Sequence, residues 1–303
     1  MATPLSLATL NDLPDDIKVP TYDRGDLSAG IVHIGLGNFH RAHQAWYLHR
    51  LMEQGIARDW AILGAGVRPA DAAQREKMLA QDCLTTLIEL DPAGKSAEVT
   101  GSMIDFLPVE EDNAALIAAM ARPEIRIVAM TLTEGGYYRA AGGFDADHPD
   151  MAYDAAHPNA PRSAFGAIIA ALRLRRDAGA GPFTCQSCDN LQGNGDILRE
   201  TILGLATLSD PALADWIAQN CTFPNSMVDC IVPATGTVDI TTMGETAFGR
   251  IWVKMMRRSV CPASSAACTN SRWRRLMNSL RTRRATGGQE TRAMAATMDS
   301  TEG

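Results

Sequence analysis

The sequence has no run of about 18 or more apolar residues, the length that a helix needs to cross a membrane. Its first twenty residues are acidic and lack the basic flank and apolar stretch of a signal peptide. Aromatic residues make up only 6% of the 303 residues, whereas 46% are hydrophobic and 21% are charged. This composition excludes a fibrous or fully disordered chain and favours a soluble, globular, cytoplasmic protein with no membrane partner.

Cysteine is scarce and follows no pattern. The seven cysteines have irregular spacings and their number is odd, which indicates reduced thiols and not a disulfide scaffold. One C-x-x-C pair, Cys185 and Cys188, has no second pair at metal-ligand spacing, so we expect packed thiols and no metal. The G-x-S-x-G and G-x-x-x-x-G-K motifs are also missing, which argues against a hydrolase or a nucleotide triphosphatase.

Charge divides the chain into two parts. Residues 251–303 hold ten Lys/Arg and three Asp/Glu, a balance of +7, whereas residues 1–250 have a balance of −14. A basic arm could bind nucleic acid, but no recognition motif accompanies it, and we expect no such partner. The composition of 251–303 is typical of out-of-frame coding sequence, although a genuine tail that packs poorly stays open as the alternative. We expect an atypical basic tail, mostly disordered or loosely helical, after a first domain over 1–250.

Hydrophobic periodicity predicts alternating strands and helices in the first 250 residues. The predicted strands cover 30–34, 61–67, 84–90, 98–106, 125–133 and 183–187. The predicted helices cover 40–54, 70–80, 113–122, 163–176 and 197–208, and 142–161 reads as a loop. Such alternation favours an α/β domain with a doubly wound, mostly parallel sheet, preceded by an N-terminal extension over 1–28.

The first strand is followed by Gly35-Leu36-Gly37, at the junction with a helix. Glycines at such a junction permit a tight turn and a close backbone approach to a pyrophosphate, which the helix N-terminus can bind. His40 stands where the usual fingerprint has a third glycine. Asp71 is the nearest acidic candidate for the adenosine ribose, although Arg68 lies closer to the second strand, so spacing leaves NAD and NADP both open.

Four ordered motifs are similar to the mannitol dehydrogenase family of long-chain polyol dehydrogenases, and the resemblance covers about residues 10–250. They are Gly35-Leu-Gly-Asn-Phe-His-Arg-Ala-His-Gln-Ala45, Thr131-Leu-Thr-Glu-Gly-Gly-Tyr137, Ser187-Cys-Asp-Asn-Leu191 with Asn194-Gly195, and Phe223-Pro-Asn-Ser-Met-Val-Asp229. The resemblance implies a Rossmann-type NAD-binding domain and metal-free hydride exchange between D-mannitol and D-fructose.

The resemblance also implies roles for individual residues. The pyrophosphate would be held by the glycine turn and the residues after it (Gly35, Gly37, Asn38, Phe39, His40 and Arg41), with Asp71 at the ribose. Glu134 resembles a glutamate that gates proton exit, and Asn190 an asparagine that hydrogen-bonds the reacting substrate oxygen. Asp229 resembles an aspartate that grips substrate hydroxyls. The alternatives are a strand-end carboxylate for Glu134, a turn cap for Asn190 and a loop carboxylate for Asp229.

The sequence departs from the family pattern in two places. The family has Arg after Asp229, where this chain has Cys230. The family also has a helical second domain with a Lys-x4-Asn-x2-His arrangement, which supplies the general base. This chain has no histidine after His157, and Lys254 is its only lysine after Lys95. We therefore expect that domain to be missing and the activity to be weak or absent.

Several functions stay open at this point. Fructuronate reductase, tagaturonate reductase and arabinitol dehydrogenase share the glycine turn, so the substrate is a polyol or ketose of uncertain identity. A chain without the catalytic base could instead be a non-catalytic NAD-binding remnant. The sequence does not predict the oligomeric state.

Overall fold

The computed structural model describes residues 4–91, 94–141, 143–227 and 232, which lie in one compact unit, Met1–Val260. The predicted tail over 251–303 and the candidate residue Asp229 lie outside these described residues. The strands are β1 (Ile17–Lys18), β2 (Ala29–Ile34), β3 (Ala61–Ala65), β4 (Thr85–Asp91), β5 (Gly94–Thr100), β6 (Met103–Phe106), β7 (Ile127–Met130), β8 (Arg139–Ala140), β9 (Gly143–Phe144) and β10 (Thr184–Ser187).

Helices connect most of these strands. They are α1 (Asn38–Ala42), α2 (Gln44–Met52), α3 (Asp71–Leu79), α4 (Ala114–Ala121), α5 (Pro149–Ala156), α6 (Ala164–Asp177), α7 (Asn194–Ser209) and α8 (Pro211–Asn220), together with four short 3-10 helices (Leu7–Asp12, Arg24–Asp26, Arg58–Trp60 and Glu134–Tyr137). No helix in this part of the chain is long and apolar enough to cross a membrane.

The central sheet is parallel throughout, with the strand order β10-β7-β2-β3-β6. The strand β2 pairs with β3 on one side and with β7 on the other, so the chain winds in both directions from β2. In such a sheet, ligands bind outside the carboxyl ends of the strands, where the winding direction changes. The predicted doubly wound α/β fold is confirmed. A ligand site is therefore expected beyond the carboxyl ends of β2 and β7, at Ile34 and Met130.

The central sheet is covered on both faces, which explains its unbroken apolar strands. All six residues of β2 are buried. The long helix α6 packs Phe165, Ile168 and Leu172 into the same core as Val32 and Val128. Burial of each such side chain contributes about 1.5–3 kcal/mol to the free energy of folding. The ends of the strands are therefore fixed by a well-packed core.

A smaller sheet, ordered β1-β5-β4, packs beside the first helices. Glu98 on β5 joins it to α2: it accepts a hydrogen bond from the Trp46 indole at 2.8 Å and pairs with Arg50 at 3.2 Å. His49 Nε2 lies 3.5 Å from the same carboxylate. Burial opposes ionisation, but the hydrogen bonds from His49 and Trp46 prevail and lower the pKa of Glu98. The small sheet is therefore held to helix α2 by a charged contact.

Several predicted boundaries are wrong for identifiable reasons. The predicted helix 40–54 is interrupted at His43, whose φ of −114° and ψ of −84° are not helical. The predicted strand 98–106 is two strands, because β5 and β6 belong to different sheets. The predicted loop 142–161 contains α5, which begins at Pro149, a residue that suits the first turn of a helix.

Candidate functional site

Gly35 ends β2 in a conformation that requires glycine. Its φ is +84°, and an added Cβ would overlap the Thr131 carbonyl oxygen at the end of the neighbouring strand β7. Its N–H donates to the Ala65 carbonyl at the end of β3, at 2.9 Å. Gly35 therefore closes the sheet across three strand ends, and its lack of a side chain serves the fold.

Gly37 has a different reason to be glycine. Its φ of −89° is open to any residue. A Cβ at this position would have no atom within 4 Å apart from its chain neighbours. The missing side chain therefore keeps space clear beside the turn, directly before α1, whose first N–H groups have no acceptor within the helix. Backbone N–H groups next to clear space can bind an anion.

The residues after Gly37 direct their side chains into the protein. His40 and Arg41 are buried. The Arg41 guanidinium donates to Asn38 Oδ1 at 2.5 Å and to Met78 Sδ at 3.6 Å, and burial lowers its pKa to about 10, so it stays charged at neutral pH. The Phe39 ring stacks on His43, with 4.1 Å between centroids. What this segment offers to a ligand is therefore mainly its backbone.

Two buried histidines stack beneath the turn. The rings of His33 and His40 are 3.4 Å apart between centroids. His33 Nε2 lies 3.1 Å from Thr131 Oγ1, and His40 Nε2 lies 3.0 Å from Gln44 Oε1. Burial lowers the pKa of His33 to about 3 and that of His40 well below its usual value. Both rings are neutral at physiological pH, and they support the turn by packing.

Asp71 lies at the carboxyl end of β3. Its Oδ2 accepts backbone hydrogen bonds from Val67 at 3.1 Å and Arg68 at 3.0 Å. An added Cβ at Gly66 would overlap the Asp71 side chain, so glycine lets this carboxylate approach the strand end. Within the described part of the chain, Oδ1 pairs with the exposed Arg68 guanidinium, at 3.7 Å. Asp71 thus lies just beyond the carboxyl end of β3, with its Oδ2 bound to the backbone of the connecting segment.

Glu134 begins the short 3-10 helix that follows β7. The residue before it, Thr133, has a φ of +69° and a ψ of 162°, a conformation that favours glycine. The predicted strand 125–133 therefore ends at Met130, and the turn after β7, Leu132–Tyr137, follows it. This turn places Glu134 at the carboxyl edge of the sheet, one strand away from Gly35.

Asn190 follows β10 at the same edge, and the Cys188 N–H joins the β10 end to Met130 on β7 at 2.9 Å. The Asn190 side chain is exposed and makes no hydrogen bond with the described residues. Its neighbour Asp189 is buried instead. Asp189 accepts hydrogen bonds from the Leu132 and Thr133 N–H groups, at 3.0 Å and 2.9 Å.

The segment 223–227 docks on the start of α7. Asn225 Oδ1 accepts from the Gly195 N–H at 2.7 Å, and Asn194 exchanges hydrogen bonds with the Ser226 backbone at 2.9 Å and 3.0 Å. An added Cβ at Gly195 would lie 2.5 Å from the Phe223 oxygen. The segment 223–227 is thereby fixed at this edge of the sheet, while Asp229 and Cys230 lie outside the described residues.

The C-x-x-C pair consists of packed thiols, as predicted. Cys185 belongs to the main core, and both thiols of the pair are free. Burial raises the pKa of Cys188 to about 12 and raises that of Cys185 well above its usual value. Among the described residues no group of three or more His, Cys, Asp or Glu side chains could hold a metal ion.

The structure brings the glycine turn, Glu134 and Asn190 to one edge of the sheet, with Asp71 at the end of β3. The sequence interpretation missed the side chains that join these segments: Thr131, Asp189, Asn194, Asn225 and Ser226. Asp189 could have been noticed, because it is a carboxylate directly after a predicted strand, but its exposed neighbour Asn190 received the role.

Comparisons with known proteins give matches in both sequence and fold. The family model of the mannitol dehydrogenase Rossmann domain matches residues 29–256. Mannitol 2-dehydrogenase from Cereibacter sphaeroides is 63% identical over 218 residues, which are 72% of this chain and 46% of that protein. Polyol:NADP oxidoreductase from Gluconobacter oxydans is 45% identical over 230 residues, 74% of this chain and 47% of that protein.

Two solved structures have the same fold. Pseudomonas fluorescens mannitol 2-dehydrogenase, in a ternary complex with NAD and D-mannitol, matches with a TM-score of 0.80 and 42% identity over 84% of this chain and 53% of that one. Substrate-free D-sorbitol dehydrogenase matches with a TM-score of 0.78 and 38% identity. The match covers 83% of this chain and 53% of that one. The chain spans about half the length of the relatives that it matches.

Proposed function

Because the chain belongs to the mannitol dehydrogenase family, we propose that it binds NAD(H) and is a polyol oxidoreductase for D-mannitol and D-fructose. The observation that carries this proposal is the clear space at the Cβ position of Gly37, between the end of β2 and the first N–H groups of α1. A pyrophosphate fits such a place, since it needs close backbone approach and N–H donors.

The residues at the sheet edge fit a dinucleotide in both halves. The backbone from Gly37 to Phe39 would hold the pyrophosphate, while the buried Arg41 adds a positive charge behind it. Asp71 would hold the adenosine ribose. The rest of the dinucleotide would extend to the other side of β2, toward the turns after β7 and β10. Bound NAD supplies the hydride acceptor for polyol oxidation.

Asp71 supports NAD as the preferred cofactor. A carboxylate accepts hydrogen bonds from a free ribose 2′-hydroxyl and repels a 2′-phosphate. Arg68 lies beside it, with its side chain 75% exposed, and could compensate for that charge. The Gluconobacter relative bears a name with NADP, so the ratio of the two affinities is a sensible first measurement.

Three polar residues would serve the substrate. Asn190 has an exposed amide that can donate to the reacting oxygen and stabilise negative charge on it. Glu134 would carry the released proton toward solvent, and Asp229 would bind substrate hydroxyls. The role of Glu134 is supported by the turn after β7, which brings its backbone to the carboxyl edge of the sheet.

A second candidate function is NAD binding without turnover. It is favoured by one observation: the sequence after His157 holds no histidine, and Lys254 is the only lysine after Lys95. A polyol dehydrogenase needs a base that accepts the hydroxyl proton. The residues described at the sheet edge include no lysine in this role, so the two candidates differ in chemistry and share the cofactor site.

The experiment has two steps on the purified 303-residue chain. The fluorescence of the nucleotide measures NADH and NADPH binding. NADH oxidation is then measured with D-fructose, D-fructuronate, D-tagaturonate and D-xylulose, each above millimolar concentration. Nucleotide binding together with fructose-dependent NADH oxidation supports a polyol dehydrogenase. Nucleotide binding without NADH oxidation supports the second candidate, NAD binding without turnover. A chain that is folded by circular dichroism and binds neither nucleotide contradicts both.

A further inference from the structure

The turn after β7 contains a strained residue. Thr133 has a φ of +69° and a ψ of 162°, in a region that is nearly exclusive to glycine. A β-branched side chain adopts this conformation only where its surroundings impose it. Such a residue directly precedes Glu134, so the strain lies in the segment that approaches the proposed site.

One carboxylate imposes this conformation. Asp189 Oδ1 accepts the Thr133 N–H at 2.9 Å, and Oδ2 accepts the Leu132 N–H at 3.0 Å. The Tyr137 hydroxyl donates to Oδ2 at 2.6 Å from the other end of the same turn. Only 8% of Asp189 is exposed, so these charge-assisted hydrogen bonds are shielded from water. Asp189 therefore holds both ends of the turn Leu132–Tyr137.

The place of this turn follows from the strand order. Asp71 lies beyond β3, on one side of the glycine turn, whereas β7 is the neighbour of β2 on the other side. A dinucleotide with its adenosine half at Asp71 and its pyrophosphate at Gly37 must extend its nicotinamide half toward β7 and β10. The turn that Asp189 holds is therefore at the nicotinamide side.

We propose that Asp189 is a positioning residue, which holds the turn Leu132–Tyr137 in the conformation that receives the nicotinamide half of the dinucleotide. The inference rests on the proposed NAD binding and extends it from the glycine turn to a second segment. It separates two affinities: the turn contributes to NADH binding through the nicotinamide ring, while ADP-ribose, which lacks that ring, depends mainly on the contacts near Gly37 and Asp71.

The main test is Asp189→Asn in the full chain. The amide has one acceptor oxygen where the carboxylate has two, so one of the two N–H groups loses its partner. We expect the hydrogen-exchange protection of the Leu132 and Thr133 amides to fall about tenfold. The affinity for NADH should fall about fivefold, whereas the affinity for ADP-ribose should stay within about twofold of that of the unmodified chain. Calorimetry measures both affinities.

Asp154 provides a matched control. It is also buried and accepts two backbone N–H bonds, from Arg162 at 2.7 Å and Ser163 at 3.0 Å, and one hydroxyl bond from Ser163. Asp154→Asn has the same chemical change and a comparable effect on stability. It should leave the ratio of NADH to ADP-ribose affinity unchanged, because Asp154 has no hydrogen bond to the turn after β7.

Thr133→Gly tests the role of strain. Glycine adopts a φ of +69° without help. Asp189→Asn should therefore weaken NADH binding less in the Thr133→Gly background than in the unmodified chain. We expect the change in the logarithm of the NADH affinity to be about half as large. If Asp189→Asn does not fold, Tyr137→Phe removes one of the three bonds at nearly constant volume and should weaken NADH more than ADP-ribose.

Three results would overturn the inference. They are an equal loss of NADH and ADP-ribose affinity, NADH affinity that is unchanged in Asp189→Asn, and strictly additive effects of the Thr133 and Asp189 substitutions. Failure of the proposed function looks different: the unmodified, folded chain then binds neither nucleotide, and the inference falls with it.

Discussion

The carbonyl oxygen of Thr131 occupies the place where Gly35 would carry a Cβ. The Thr131 N–H also donates to the Ile34 carbonyl at 3.0 Å, and its hydroxyl donates to the Gly35 carbonyl. The ends of β2 and β7 thus meet without any space for a side chain. This contact assigns the two glycines of the turn to different tasks, which substitutions can separate.

We expect Gly35→Ala to destabilise the fold and Gly37→Ala to affect only binding. An alanine at 35 combines a positive φ with a backbone overlap, and it should lower the free energy of unfolding by about 2 kcal/mol or more. An alanine at 37 has open space and an ordinary φ, so its effect on unfolding should stay within about 0.5 kcal/mol.

NADH titration completes this comparison. Gly37→Ala introduces a methyl group into the proposed pyrophosphate space and should weaken NADH by about tenfold. Denaturant unfolding measures the stability of both variants. A Gly37→Ala variant with unchanged NADH affinity would show that the pyrophosphate binds elsewhere.

Asp71→Asn should shift the cofactor preference toward NADP. The substitution removes a negative charge at the proposed ribose position and retains one acceptor oxygen for the Val67 and Arg68 N–H groups. We expect the ratio of NADPH to NADH affinity to rise about tenfold, because charge repulsion of the 2′-phosphate is lost. Asp177→Asn, an exposed carboxylate on α6, is the control. An unchanged ratio would remove Asp71 from the ribose site.

His33 should make stability fall as the pH decreases. Burial lowers its pKa from the usual 6.5 to about 3, so below pH 6.5 the unfolded chain binds a proton that the folded chain rejects. The contribution of His33 is complete above its unfolded pKa and decreases toward pH 3. It should decrease by about 1.4 kcal/mol per pH unit, and His40 acts in the same direction.

Urea unfolding between about pH 5 and pH 7 measures this slope. His33→Asn should reduce this slope, because it removes the buried group that the folded chain keeps unprotonated. A stability that is flat over this range in the unmodified chain would contradict the neutral, buried state of His33.

The thiols of Cys185 and Cys188 should react slowly in the folded protein. Burial raises both pKa values, that of Cys188 to about 12, so the thiolate is rare at neutral pH. Iodoacetamide labelling followed by peptide mass spectrometry should find the peptide that contains Cys185 and Cys188 modified only after denaturation. Rapid labelling of either cysteine in the native chain would reopen the interpretation of a redox dithiol.

The sequence alone predicted the elements whose cause is local. The apolar runs of β2 and β3 and the periodic pattern of α6 indicate buried strands and a packed helix, since periodicity reports which side faces the core. The Gly35–Gly37 turn was predicted from its motif after a strand, and Asp71 from its spacing to that motif. Their positions relative to a strand end are set by neighbours in the chain.

The tertiary structure decided what depends on partners distant in sequence. Asp189 was read as part of a motif, but its role follows from contacts with Leu132 and Thr133, which are 57 and 56 residues away. The separation of β5 from β6 likewise depends on which strands pair with them. Hydrogen bonds and sheet pairing between remote segments leave no periodic signal, so only the folded chain reveals which carboxylate holds the turn and which glycine faces open space.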